Sequence, residues 1–259
     1  MGLPSELQCI VRDRVARLRL ARPERRNALS RAMVAALTSA LDHVAGEPEV
    51  RAVVIEAEGP VFCSGHDLTE LVGREAAEYE ELFGACSRMM HRMRHLPQPV
   101  IARVHGPAVA AGCQLVAACD LAVAADSATF STPGVKIGLF CTTPMVPILR
   151  SVAPKAAFEM LLTGESIDAA RAGAIGLVNR VVPADRLDAT IESLLRPILD
   201  ASPSVVRLGK AAFHDQLGVD EVTGYHRAIE IMTDNALQPD AQEGIAAFLQ
   251  KRRPVWTGS

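Results

Sequence analysis

Aromatic residues are scarce in this chain: its 259 residues include 7 Phe, 2 Tyr and 1 Trp. A core with so few rings must draw on Ala, Val, Leu and Ile, which suits helices packed closely against a sheet. Basic charge is not in excess either. Lys and Arg number 27 against 30 Asp and Glu, a formal net charge of -3, so no general field draws a polyanion and nucleic acid is excluded as the main partner. No apolar run approaches the roughly 18 residues that a membrane span requires. The six cysteines (Cys9, Cys63, Cys86, Cys113, Cys119, Cys141) form no C-x-x-C pair, and in a chain long enough to bury its own core they read as reduced thiols. Strand-like alternation begins near Leu7, which leaves no room for a leader ahead of the fold and makes the cytoplasm the expected location. G-x-S-x-G, Walker A and G-x-G-x-x-G motifs are absent too, which argues against a hydrolase elbow, an NTPase and a dinucleotide site.

What is present reads as an α/β chain. Leu7 to Val11 and Val15 to Leu20, across Asp13, form a β-hairpin that Arg22-Pro23 ends. Ser30 is placed to cap a helix in which Met33, Leu37, Leu41 and Val44 recur at helical spacing, closed by Gly46. Arg51 to Glu56 is a short buried strand, Arg74 to Leu96 a charged helix stopped by Pro97 and Pro99, and Val100 to Val104 a further strand. A loop of small residues from Gly106 to Gly112 leads to a short helix around Gln114 to Ala118, and Leu121 to Ala124 is a strand again. This recurrence predicts parallel pairing with right-handed crossovers. Beyond Lys155 the pattern is mostly helical: Lys155 to Leu162, Asp168 to Ala174, Asp185 to Leu199, Ser204 to Leu217, Val219 to Leu237 and Ala241 to Lys251. No repeat or low-complexity linker divides the chain.

Two loops place small residues where a helix is expected to start, Phe62 to Leu68 and Gly106 to Gln114. Free backbone N–H groups at such starts bind anions, although Gly and Ala also permit tight strand-to-helix packing. His91 and His95 stand at i, i+4, but no third ligand follows in a zincin pattern, and no metal is expected.

In chain order, Arg22-Pro23 with Asn27-Ala28-Leu29, Ser64-Gly65-His66-Asp67-Leu68, the run from Pro99 to Asp120, Leu162-Thr163-Gly164 and the ending Phe248-Leu249-Gln250-Lys251 resemble the signature of the crotonase (enoyl-CoA hydratase/isomerase) superfamily. The resemblance covers essentially the whole chain. Within the superfamily, FCSGHDL, AAGCQL and TPGVKIGLFC are similar to the enoyl-CoA hydratase domain-containing protein 3 group and its bacterial relatives. The resemblance implies a ββα spiral with a helical C-terminal extension: residues 1–200 as the acyl-CoA-binding core and 201–259 as a trimerisation region. It implies a homotrimer or dimer of trimers, a coenzyme A thioester as substrate and no permanently bound cofactor. Carried over by position, the N–H groups of His66 and Ala111 polarise the thioester carbonyl. Arg25, Arg26 and Ala28 meet the nucleotide end, Ser64 and Leu68 line the pantetheine and acyl path with Gly65, Asp67 and Gly112 on the same loops, and Phe248 and Lys251 reach over from a neighbouring subunit. Losing one such donor typically costs about 10² to 10³ in rate.

The chain departs from that pattern at the acid–base positions. A hydratase of the family works through two glutamates, and here Gln114 and Gly134 stand in their places. An amide cannot accept and return a proton near neutral pH, and glycine offers only space and backbone. Installing Gln114→Glu with Gly134→Glu is therefore expected to raise hydration. Cys141 and Thr142 should face the acyl pocket, where a Cys141 thiolate would be a nucleophile or base and a thiol an ordinary buried group. The run from Gly134 to Cys141 also resembles dihydroxynaphthoyl-CoA synthases, some of which use bound bicarbonate as base. Two readings stand: an enzyme of thioester enolates, catalogued with the enoyl-CoA hydratases, lyases and isomerases of fatty acid metabolism, and a catalytically silent acyl-CoA-binding or regulatory protein.

Overall fold

The computed structural model describes residues 6–258, so residues 1–5 and 259 of the two expected segments lie outside it. The hairpin forms as β1 (Leu7–Arg12) and β2 (Val15–Leu20), paired antiparallel with Leu7 opposite Leu20. The left-handed backbone of Asp13 (φ 50°) and Arg14 (φ 65°) turns it. Helix α1 (Arg31–Ala45) begins at Ser30, whose hydroxyl accepts the Met33 N–H at 3.1 Å, and it buries Met33, Leu37, Leu41 and Val44.

β3 (Ala52–Ala57) then pairs parallel to β2, α2 (Ala76–His95) crosses over, and β4 (Val100–Val104) pairs parallel to β3. After β5 (Ala108–Val109) comes α3 (Ala111–Ala118), which starts three residues earlier than the Gln114 its periodicity suggests. β6 (Leu121–Ala125) and β7 (Thr129–Ser131) lead to α4 (Thr142–Ser151) and α5 (Pro154–Thr163). β8 (Ile167–Asp168), α6 (Ala169–Ala174) and β9 (Arg180–Val182) precede α7 (Leu187–Asp200), α8 (Pro203–Gln216), α9 (Glu221–Leu237) and α10 (Pro239–Leu249).

The main sheet has the order β1-β2-β3-β4-β6-β9, parallel throughout except for the β1 edge, and β5-β7-β8 form a second, small sheet. Both faces of the main sheet are covered, which is why β3 reads as a continuous apolar run. On alternate positions Val53 and Ile55 pack with α1, α2 and α3, while Ala52 and Val54 pack with Leu187, Ile191 and Leu195 of α7. Helix α4 was not anticipated, because Pro144 and Pro147 lie in it. Pro144 falls in its first turn, where the missing N–H costs nothing. β7, β8 and β9 were also unforeseen, being two or three residues long and so without period.

Candidate active site

Three loops meet at the C-terminal ends of β2, β3 and β4. In the first, Asn27 is fully buried and left-handed (φ 52°). Its Nδ2 donates to the carbonyls of Glu58 and Val61 at 2.8 and 2.7 Å, and its Oδ1 accepts the Arg22 N–H at 2.9 Å. The first loop in turn holds the second: Leu29 N–H donates to Gly65 O at 2.7 Å and Ser64 N–H to Arg26 O at 3.1 Å. On the other side Val109 N–H donates to Cys63 O at 2.8 Å, and Ala110 N–H is tied to Ser131 O at 2.8 Å.

Two glycines set how closely the second and third loops approach. A Cβ on Gly65, which sits at φ +92°, would lie 2.9 Å from Ala110 Cβ and 3.2 Å from Ala111 N. A Cβ on Gly112 would lie 2.2 Å from Cys63 O. The start of α3 is thereby packed directly on the turn at Cys63–Gly65. Between these clamps, the backbone N–H groups of His66 and Ala111 find no acceptor among the described residues. Such groups are seldom left unmade inside a protein.

Both residues line a cavity of about 310 Å³. Its walls are apolar, with Leu71, Phe83, Val109, Ile137, Leu139 and Phe140, and Gly134, Cys141 and Thr142 close the far side. Leu71, Phe83, Ile137, Leu139 and Phe140 were not singled out from sequence; the apolar positions between Pro133 and Cys141 are the signal that could have marked three of them. A second groove, of about 510 Å³, holds Arg25, Arg26, Ala28 and Asp67, and it shares Ser64, His66, Leu68 and Val109 with the cavity. The structure thus brings the residues expected at the nucleotide end and those expected at the acyl end onto one continuous surface.

Other expected site residues lie apart. Gln114 is not among the residues that line the cavity; it is 2% exposed, with Oε1 lacking a partner among the described residues. Phe248, 83% exposed, and Lys251 line neither cavity nor groove of their own chain. Asp67 is occupied: its carboxylate accepts Thr69 Oγ1 at 2.7 Å and Thr69 N–H at 3.1 Å and lies 3.6 Å from Arg22. The Thr69 bonds first, and Arg22 and Arg25 after them, hold it below the usual carboxylate range.

Two sequence expectations change. Gly134 does not leave space, because a Cβ there would sit 1.9 Å from Leu139 O and 2.8 Å from Cys141 Sγ. The chain folds back over it through Gly138 (φ +76°), and Leu139 N–H donates to Gly134 O at 2.9 Å. Burial also pushes the Cys141 thiol up, against a smaller lowering by the Gly134 backbone. At neutral pH it is a thiol, which removes the premise of a Cys141 nucleophile or base.

The profile of the enoyl-CoA hydratase/isomerase family matches residues 11–259. The chain is 49% identical over 246 residues, 95% of this chain and 82% of the relative, to the rat protein named enoyl-CoA hydratase domain-containing protein 3, mitochondrial. Among solved structures, an enoyl-CoA hydratase of Mycobacterium smegmatis superposes with a TM-score of 0.95 at 48% identity, covering 97% of this chain and 98% of that one. Human enoyl-CoA hydratase domain-containing protein 3 superposes with a TM-score of 0.94 at 47% identity, covering 97% and 100%. The expectation of a cytoplasmic location is corrected by the mitochondrial name of the rat relative. Reduced thiols argue against an oxidising compartment and do not choose among reducing ones.

Proposed function

The chain belongs to the enoyl-CoA hydratase/isomerase family and has the crotonase fold, and from that premise we propose that it holds an acyl-CoA thioester in the joined groove and cavity and stabilises the thioester enolate. The observation that carries this reading is the pair of acceptor-free N–H groups, His66 and Ala111, on one apolar cavity. Two preorganised donors at the N-terminus of α3 favour negative charge on a carbonyl oxygen, in a site where water screens little. Arg25 and Arg26 supply cations for the phosphates at the groove's outer end. A CoA thioester is the substrate, and no permanently bound cofactor enters the scheme.

Gln114 and Gly134 supply no carboxylate, so hydration through two glutamates is not the reaction we assign. The same observation favours the second reading, an acyl-CoA-binding protein without turnover. Calorimetric binding of crotonoyl-CoA and longer 2-enoyl-CoAs, followed by loss of the conjugated thioester absorbance, tests the acyl-CoA reading and the assignment of Gln114 and Gly134 that the two readings share. Binding with slow or absent hydration is expected. Absence of binding overturns the acyl-CoA reading, and hydration at the rate of glutamate-bearing relatives overturns the assignment of Gln114 and Gly134.

We further propose a homotrimer or a dimer of trimers, with residues 201–259 supplying contacts. Val222, Ile229, Met232 and Leu237 of α9 and Phe248 of α10 expose between 62% and 83% of their surface, which supports an interface there. Phe248 and Lys251 would then approach the nucleotide end of a neighbouring site. Mass in solution should be a multiple of three protomers, and a clean monomer refutes the shared site.

A further inference from the structure

A second cavity, of about 330 Å³, lies at the other end of α3 and α4. Ala111 and Thr142 open these helices on the first cavity, whereas residues 116–118 and 150–151 line the second. The eight residues of α3 set the two apart by about 12 Å.

The second cavity is rich in cations. Arg94 from the last turn of α2, Arg150 from the last turn of α4 and Lys210 from α8 stand against one carboxylate, Asp120. That carboxylate is already engaged: Oδ2 lies 2.7 Å from Lys210 Nζ and accepts the Val100 N–H at 2.7 Å, and Oδ1 pairs with His214 Nε2 at 3.0 Å. Lys210 donates in addition to the Met93 and Gln98 carbonyls, both at 2.9 Å. Two guanidinium groups therefore share the cavity without a carboxylate of their own. Arg94 is half-buried and makes neither an ion pair nor a hydrogen bond among the described residues, and Arg150 makes one bond, to the Val146 carbonyl of its own helix at 2.8 Å. Burial first, and then the like charge of Arg150, lower the pKa of Arg94, while Asp120 offsets part of this. A guanidinium withdrawn from water beside a second one is a charge that an anion would relieve.

Spare hydrogen bonding at the cavity is also on the donor side. Asn179 Oδ1 accepts the Ala122 N–H at 2.7 Å, which fixes the amide and leaves its Nδ2 hydrogens without an acceptor among the described residues. The carbonyls at the end of α3, which would repel an anion, are covered: Val116 O by the Cys119 N–H at 3.2 Å, Leu115 O by Cys119 Sγ at 3.3 Å and Ala117 O by Ser151 Oγ at 3.4 Å. Planar guanidinium groups match the paired oxygens of a phosphate. Three cations against one carboxylate suit a ligand of charge near that of a phosphate monoester at neutral pH, about −1.5 to −2. At about 30 Å³ of liquid per water, the volume equals roughly ten waters, which leaves room for a phosphate with a small organic group.

We propose that this cavity is a second ligand site, which takes a phosphate-class oxyanion, as free phosphate or as a small phosphate monoester, on Arg94 and Arg150 with Asn179 Nδ2 as a further donor. It stands independently of the acyl-CoA reading.

The test titrates inorganic phosphate and glycerol phosphate into the whole protein by calorimetry in low-salt buffer, against chloride at matched ionic strength. Wild type should bind phosphate, and tighter binding of glycerol phosphate identifies a monoester as the better ligand. Arg94→Gln and Arg150→Gln each remove a hydrogen bond to a charged group, so each should weaken binding about 10- to 10²-fold, with circular dichroism to show that the fold is kept. Arg94→Lys keeps the charge but loses the planar fork and should weaken binding less than Arg94→Gln. Arg25→Ala with Arg26→Ala removes cations of the outer groove and should leave this binding event within a few-fold. Absence of phosphate binding in wild type, unchanged binding in a folded Arg94→Gln, Arg150→Gln protein, or loss of all binding in the Arg25→Ala, Arg26→Ala protein each overturns the proposal. So does a wild type indifferent to phosphate whose mass in solution falls when Arg94 and Arg150 are replaced, because the arginines would then serve a contact between copies of the chain.

Discussion

Gly134→Ala is the most direct probe of how the cavity is closed. The glycine is buried and its backbone lies outside the left-handed region, so the cost of a side chain is purely steric. A Cβ would meet Leu139 O at 1.9 Å and Cys141 Sγ at 2.8 Å, and the carbonyl must retreat by roughly 1 Å before the contact becomes tolerable. That retreat strains or breaks the bond from Leu139 N–H to Gly134 O, 2.9 Å long, worth about 1 kcal/mol. Overpacking adds about 1–3 kcal/mol, so the expected loss is about 2–4 kcal/mol, or very roughly 5–15 °C in Tm for a chain of this size. Leu139, Phe140 and Cys141 also line the cavity, so acyl-CoA affinity should fall with stability. Glutamate at 134 meets the same obstacle and adds a charge to an apolar wall, so the Gln114→Glu, Gly134→Glu double variant should lose stability rather than gain hydration. Urea melts with paired calorimetry read both effects. A Gly134→Ala protein with unchanged Tm and unchanged affinity would refute this account of the loop.

Three other outcomes follow from buried charge and from space. Asp120 accepts Lys210 Nζ at 2.7 Å, the Val100 N–H at 2.7 Å and His214 Nε2 at 3.0 Å, with the Lys210 side chain 7% exposed; Asp120→Asn should cost about 3–5 kcal/mol in urea unfolding, and a loss under 1 kcal/mol would show the pair to be solvated. Because the pKa of His66 is lowered in the folded state, the unfolded chain binds a proton that the native one refuses. Stability from this group is complete above the ordinary value of 6.5 and is lost as pH falls below it; the urea midpoint of His66→Gln should therefore lose less than wild type between pH 7.5 and 5.5, and equal losses would contradict the assignment. Gly209, inside α8 and exposed, has nothing within 4 Å of an added Cβ, so Gly209→Ala should gain about 0.5–1 kcal/mol, with no change in ligand affinity.

Much of the scaffold could be read in advance because its signals are local. Ser30 caps α1 and Met33, Leu37, Leu41 and Val44 fill the core, since cap and period lie in one stretch of chain. α4 was hidden by Pro144 and Pro147, and β7 to β9 are too short to show a period. The same division runs through the site. The loops at Ser64–Leu68 and Gly106–Gly112 could be found from their small residues, whereas the groove residues Arg25, Arg26 and Ala28 came only with the family resemblance, since two adjacent arginines by themselves read as a solvated charge run. The wall of the cavity could not, because Leu71, Phe83 and Phe140 come from distant segments that meet only in three dimensions. Gly134 shows the limit most sharply. A missing side chain reads as room, yet whether room exists depends on the path of residues 135–141, which return onto the glycine and fill it.

The distribution of charge follows the chemistry proposed for each end. The outer groove carries Arg25 and Arg26 at the proposed nucleotide end, while the one cation of the inner cavity among the described residues, Lys136, is paired with Glu165 at 2.7 Å and no Asp or Glu lines that cavity. A carboxylate there would oppose an enolate forming on the two N–H donors, and its absence deepens the stabilisation of that charge at the expense of proton transfer. On the proposed reading, an amide at 114 and a filled glycine at 134 therefore suit a cavity for holding an enolate better than one for adding water to an alkene.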